Sequence, residues 1–180
     1  MTTQSLKPTS PSSTGNDRSR YFVNRIWAVA RIGVGWIFLW AFLDKLFGLG
    51  FSTPTDQSWL SGGRPTEGFL ANNAAGPLEG VYKAIAGQWW ADWLFMIGLA
   101  GIGTALILGI GMRIAGVGGA ILLVLMWSVA LPPATNPLID DHLIMAVLLL
   151  GLVAVGAGRT WGLGDAWNKT SPVKRFPILR

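Results

Sequence analysis

An all-α integral membrane protein is the fold class this sequence predicts: a four-helix bundle with a long extracytoplasmic loop that contains an interfacial amphipathic helix. Three observations predict it. Hydrophobic residues make up 51% of the 180 residues, charged residues only 13%, and mean hydropathy is +0.46; a soluble domain carries about 25% charged residues. Four apolar stretches approach the roughly 20 residues that a helix needs to cross a ~30 Å hydrocarbon core. Lys and Arg are also distributed unevenly among the connections, as membrane topology requires.

The elements follow in order. Residues 1–24 are rich in Ser, Thr and Pro and hold no apolar run, which predicts a disordered cytoplasmic tail and no signal-peptide core. The first span covers about 25–49 and is interrupted by Arg31, Asp44 and Lys45. The second, about 93–110, carries no charge, and Arg113 follows in a tight GIGMR connection. The third, about 114–131, ends at Pro132-Pro133. The fourth is expected over 137–158, with Asn136 as its N-cap, Pro137 at its first position and Asp140, Asp141 and His142 in its opening turns. Residues 159–180 read as a basic cytoplasmic tail.

Small residues four apart, such as Ala115/Gly119, Gly116/Ala120, Gly101/Ala105 and Ala154/Gly158, suit close helix contacts in lipid. Orientation comes from the basic residues. Lys7, Arg18, Arg20, Arg25, Arg113, Arg159, Lys169, Lys174, Arg175 and Arg180 share one side, and the other side has only Arg64 and Lys83. Both termini are therefore expected in the cytoplasm of a prokaryote, as a multi-pass protein of the cell membrane. The net charge of +5 acts as a topology signal, split between two tails and one turn, and nucleic acid is not an expected partner.

Residues 50–92 exceed a minimal helix hairpin. Within PLEGVYKAIAGQWWADW, Val81, Ile85, Trp89 and Trp93 recur at i+4, which predicts one amphipathic helix with Trp89, Trp90 and Trp93 at interface depth. It reads either as an interfacial anchor or as a lid over a membrane-level pocket.

Ionisable groups inside apolar spans are costly and mark candidate sites. Arg31 is expected near the cytoplasmic interface, snorkelling to headgroups. Asp140 and Asp141 have a structural reading, as complements to a helix dipole. The alternative joins Asp44 and Lys45 to Asp141 and His142 across two helices, in a polar cluster under the Gly62–Phe69 loop. Histidine exchanges protons near neutral pH, so such a cluster suits a quinone head or proton-coupled transport. Zero Cys and a single His exclude a disulfide scaffold, an iron–sulfur cluster, c-type haem and a Cys-rich zinc site built from this chain alone. No metal or haem is expected.

The stretches WLSGGRPTEGFL, WLFMIGLAGIGTALILGIGMRIAG, MWSVALPPATNPLIDDHLI, GAGRTWGLGDAW and VKRFPILR together resemble the DoxX/DoxD membrane proteins, in particular the large, DoxD-like subunit of thiosulfate:quinone oxidoreductase. The resemblance runs over about residues 25–180, and NP-x-x-DDH and GAGR-TWGLG are its most specific parts. It implies a four-helix DoxX-like membrane domain over 25–158. It also implies transfer of electrons from a reduced sulfur compound such as thiosulfate to quinone, with a small DoxA-like subunit or other redox protein as partner.

The candidate residues divide by role. Asp44, Asp141 and His142 are candidates for catalysis. Lys45, Arg64 and Asp140 are candidates for substrate binding. Arg31, Arg113 and Arg159 serve structure or topology. A non-catalytic scaffold for redox enzymes and a small transporter are the alternative functions. Without Cys or a metal set, electrons pass directly between bound donor and quinone, or through a partner.

Overall fold

The computed structural model describes residues 14–134 and 136–180; residues 1–13, which include Lys7, lie outside them. All regular structure among the described residues is helical. Helix α1 spans Thr14–Phe47. Two short helices follow in the loop, α2 (Glu67–Asn73) and α3 (Glu79–Ile85). Then come α4 (Trp89–Leu108), α5 (Met112–Val129) and α6 (Asp141–Ala154), and finally α7 (Gly164–Trp167) and α8 (Ser171–Arg175). Three segments are long and apolar enough to cross a membrane: Asp17–Phe47, Trp89–Leu108 and Met112–Val129.

Several sequence boundaries are corrected. Helix α1 starts at Thr14, so residues 14–24 are helical and do not form part of a disordered tail. No Pro or Gly interrupts residues 16–32, and Asp17 in the first turn complements the helix dipole. The fourth stretch is shorter than expected. Helix α6 has 14 residues, about 21 Å at 1.5 Å per residue, less than a ~30 Å core. Its N-cap is Asp140, whose side chain accepts from the Leu143 N–H at 3.2 Å. Asn136 instead closes a turn, accepting from the N–H groups of Leu138 at 3.0 Å and Ile139 at 3.2 Å. Gly156, at φ +66°, follows the other end of the helix.

The amphipathic helix expected over residues 77–93 is two helices. Gly87 takes φ +74° and breaks the run, so α3 ends at Ile85 and the three tryptophans begin α4. Trp89, Trp90 and Trp93 are 69%, 45% and 52% exposed, consistent with indoles at a lipid interface.

Helix α1 packs chiefly on α4, α4 on α5, and α5 on α6. Val34, Phe38, Leu99, Ile102, Leu106 and Leu149 are at the centre of the core. Small residues set the approach distances, though not all at the expected pairs. A Cβ on Gly103 would lie 2.6 Å from the Leu39 backbone nitrogen, and one on Gly35 would lie 2.9 Å from Leu106 Cβ. Gly116 and Gly119 admit Val153 and Leu149 of α6. A Cβ on Gly101, in contrast, would meet nothing within 4 Å.

The bundle has a loop end and a tail end. At the loop end, the Ala75 N–H donates to Val129 O at 2.8 Å, and the Tyr82 hydroxyl meets Ser128 Oγ at 2.5 Å. At the tail end, residues 159–180 fold back as short helical turns. Leu163 N–H donates to Leu108 O and Arg113 N–H to Arg180 O, both at 2.8 Å. Trp167 Nε1 donates to Leu179 O at 2.5 Å.

Candidate functional site

An open groove of about 1040 Å³ runs along α1, α4, α5 and α6, and Leu94, Ile97 and Ile121 on it are exposed. Its walls are mostly apolar, with Phe38, Leu99, Ile102, Leu122 and Met145 among them. Polar groups enter at the loop end, where Lys45, Thr66, Asp141 and His142 line it; Trp167 and Leu179 border the tail end. The loop closes over part of this groove through Pro65, Phe69, Tyr82 and Ile85.

The expected cluster is assembled only in part. Lys45, Asp141 and His142 share the groove wall, but among the described residues no hydrogen bond or ion pair joins Asp44 or Lys45 to Asp141 or His142. Asp44 is occupied elsewhere. It is 1% exposed and accepts from the N–H groups of Phe51 at 3.2 Å and Ser52 at 3.0 Å, and from Ser52 Oγ at 2.6 Å. A buried carboxylate needs such donors, and the turn after α1 supplies them locally. Lys45 Nζ donates to Ser52 Oγ at 3.3 Å.

At the start of α6, His142 Nδ1 lies 2.8 Å from Asp140 Oδ2 and 3.5 Å from Asp141 Oδ1. Burial raises the Asp140 carboxyl pKa. The hydrogen bonds from His142 and the Leu143 N–H, with the charge of His142, outweigh burial and hold it below the ordinary carboxylate value. The ligand-type atoms of Asp140, Asp141 and His142 lie within 4.8 Å of one another, a spacing that one cation could bridge. In this structure the three form an N-cap and a histidine–carboxylate pair, and the Asp141 side chain is 81% exposed. Asp141 and His142 are thus the titratable pair presented to the groove, with Asp140 orienting the imidazole.

Arg31 departs most from expectation. It does not snorkel: it is 0% exposed, and Nη2 donates to the carbonyls of Trp161 at 2.8 Å and Thr160 at 3.3 Å. Its Nε and Nη1 have no acceptor among the described residues. Gly109 and Gly162 press against the guanidinium, where any Cβ would collide with Nη1. Two backbone carbonyls from GAGRTWGLG thus take the place of lipid headgroups as its partners.

Arg113 and Arg159 also serve the tail segment. Arg113 Nη1 donates to Pro177 O at 3.0 Å, and Arg159 faces Asp165 at 3.6 Å on the surface. Arg64 donates to the Gly87 carbonyl. Sequence reasoning missed Asp92. It is 4% exposed and accepts from Thr66 N–H at 2.9 Å and Thr66 Oγ1 at 2.7 Å, which locks the loop onto α4. The signal was available, since an acid directly beside an apolar span is itself unusual, but the span was begun one residue too late to include it.

No protein-family model, curated protein or solved structure matches this chain.

Proposed function

We propose that this chain is a membrane subunit that passes electrons from a small water-soluble donor to a quinone, as a four-helix bundle with both termini in the cytoplasm and residues 50–88 outside. The observation that carries the reading is the groove: a long apolar volume whose polar groups, Lys45, Asp141 and His142, gather at one end. An isoprenoid quinone has that division, with an apolar tail and a head that takes up two protons with two electrons. His142, backed by Asp140 at 2.8 Å, is suited to exchange protons at that end. The resemblance to DoxX/DoxD proteins supports a reduced sulfur compound, such as thiosulfate, as donor, and a DoxA-like subunit as partner. Because the chain has no Cys, the donor's electrons pass to quinone directly or through that partner. An ion path fits less well, because the middle of the groove has few polar groups to replace a hydration shell.

The test uses purified protein in lipid nanodiscs. Binding of decylubiquinone and of a menaquinone analogue is measured by tryptophan fluorescence, and reduction is followed with thiosulfate as donor, with and without candidate partner subunits. Saturable quinone binding and donor-dependent reduction support the reading. Quinone binding without reduction under any combination favours a scaffold, and no quinone binding defeats it.

A further inference from the structure

Residues 163–180 are pinned at both ends to the turn between α4 and α5. Leu163 N–H donates to Leu108 O at the end of α4. Arg113, at the start of α5, donates its N–H to Arg180 O and its Nη1 to Pro177 O. Trp167 Nε1 closes the segment on itself at Leu179 O, and Val173 is fully buried. This is a docked platform and not a free tail. It lies where two membrane-length helices end, the level at which hydrocarbon gives way to headgroups.

The surface of the platform carries two kinds of group. Trp161, Leu163, Phe176 and Ile178 are each more than half exposed. Arg159, Lys169, Lys174, Arg175 and Arg180 are exposed as well. The segment has one acidic side chain, Asp165, and that faces Arg159. Among the described residues, Lys169, Lys174 and Arg175 have no carboxylate partner. The Arg175 guanidinium lies over the Phe176 ring, 5.6 Å from its centroid, so cation and apolar group share one surface. Side chains of these two kinds together suit a bilayer edge, where the apolar groups enter the acyl boundary and the cations meet phosphates.

We propose that this platform binds anionic phospholipid, with Lys169, Lys174 and Arg175 on the headgroups and Phe176 and Ile178 in the acyl boundary. Charge selects the lipid. A cation near an anionic surface gains about fivefold in binding, whereas a zwitterionic headgroup offers the three unpaired cations no net charge. The apolar side chains select a bilayer over a soluble acidic protein, whose polar surface would leave them without a partner. Lipid binding requires no quinone chemistry and stands apart from the redox reading.

The full chain in nanodiscs of equimolar phosphatidylcholine and phosphatidylglycerol tests this, with the lipids retained on the protein counted by native mass spectrometry. Phosphatidylglycerol should be enriched at least about fivefold, the scale of one cation at an anionic surface. The triple substitution Lys169→Gln, Lys174→Gln and Arg175→Gln should bring the enrichment below about twofold, while Lys83→Gln at the loop end leaves it unchanged. A measurement on the wild-type protein covers the case of a triple variant that does not fold. Raising salt from about 0.01 M to about 1 M shortens the screening length from about 30 Å to about 3 Å, and most of the enrichment should disappear. Equal retention of the two lipids, enrichment undiminished in the folded triple variant, or enrichment indifferent to salt would overturn the proposal. So would binding of polyglutamate to the protein in phosphatidylcholine discs without any preference for phosphatidylglycerol, which would assign the surface to an acidic protein.

Discussion

Arg31 Nη2 donates to the carbonyl oxygen of Trp161 at 2.8 Å, tying the first long helix to a segment 130 residues later in the chain. Trp161 takes φ +52°, a left-handed conformation that is uncommon for a bulky residue. The bond holds that turn against the tail end of the bundle, where Leu163 also docks on Leu108 at 2.8 Å. A hydrogen bond to a charged group contributes about 1.5–3 kcal/mol. Arg31→Ala should therefore destabilise the protein by about 2–4 kcal/mol and expose residues 157–180 to protease. A thermal melt in detergent with limited proteolysis reads both, and a wild-type digestion pattern would contradict the latch.

Asp44 performs an equivalent task at the opposite end, with three donors from Phe51 and Ser52. Asp44→Ala should cost about 2–4 kcal/mol, since it removes the acceptor of three part-buried hydrogen bonds. Any donor-to-quinone activity, expressed per folded molecule, should survive. Loss of that activity at full stability would restore Asp44 to the catalytic group in which its sequence position first placed it.

Stability should also depend on acid pH through Asp140. Its folded-state pKa lies below the ordinary value, and the unfolded value is about 3.9. The unfolded chain therefore binds the proton first as pH falls. The contribution of Asp140 is fully present above about pH 4–5 and is lost as pH drops through the folded pKa. Asparagine also caps helices well. Asp140→Asn should thus keep the neutral-pH melting temperature within a few degrees and flatten its fall between about pH 5 and 3. An unchanged acid slope would remove Asp140 from this role.

The groove can be filled without disturbing the backbone. Gly118 lines it, and a Cβ placed there would meet nothing within 4 Å. Gly118→Phe should abolish decylubiquinone binding while the variant remains folded. His142→Ala and Asp141→Asn should spare the quinone tail's binding and lower quinone reduction by about 10²-fold or more, the scale of a lost general acid or base. Retention of full activity in both would make the α6 opening purely structural.

Orientation is accessible because the native chain has no Cys. Ser61 and Ser171 are both exposed, on the loop end and in the tail segment respectively. A Cys at position 61 should react with an impermeant maleimide in intact cells, and one at position 171 only after lysis. The reverse pattern would invert the topology.

The helical class and the three membrane-length helices were legible in the sequence because they depend on local quantities: apolar run length, charge content and Lys/Arg placement. Asp140, Asp141 and His142 were also legible as a unit, since consecutive residues at a helix start remain together in any fold. What the tertiary structure decided is where the charged partners lie. Arg31 could be taken for a snorkelling residue because its acceptors, the carbonyls of Thr160 and Trp161, come from a segment without any local link to α1. Asp92 lay hidden because Thr66, 26 residues earlier, supplies its donors. The division of residues 77–93 turned on a single left-handed glycine, Gly87, which apolar periodicity does not register. Periodicity reports which face of an element avoids water; the pairing of buried polar groups depends on contacts between segments distant in sequence, and those form only when the helices pack.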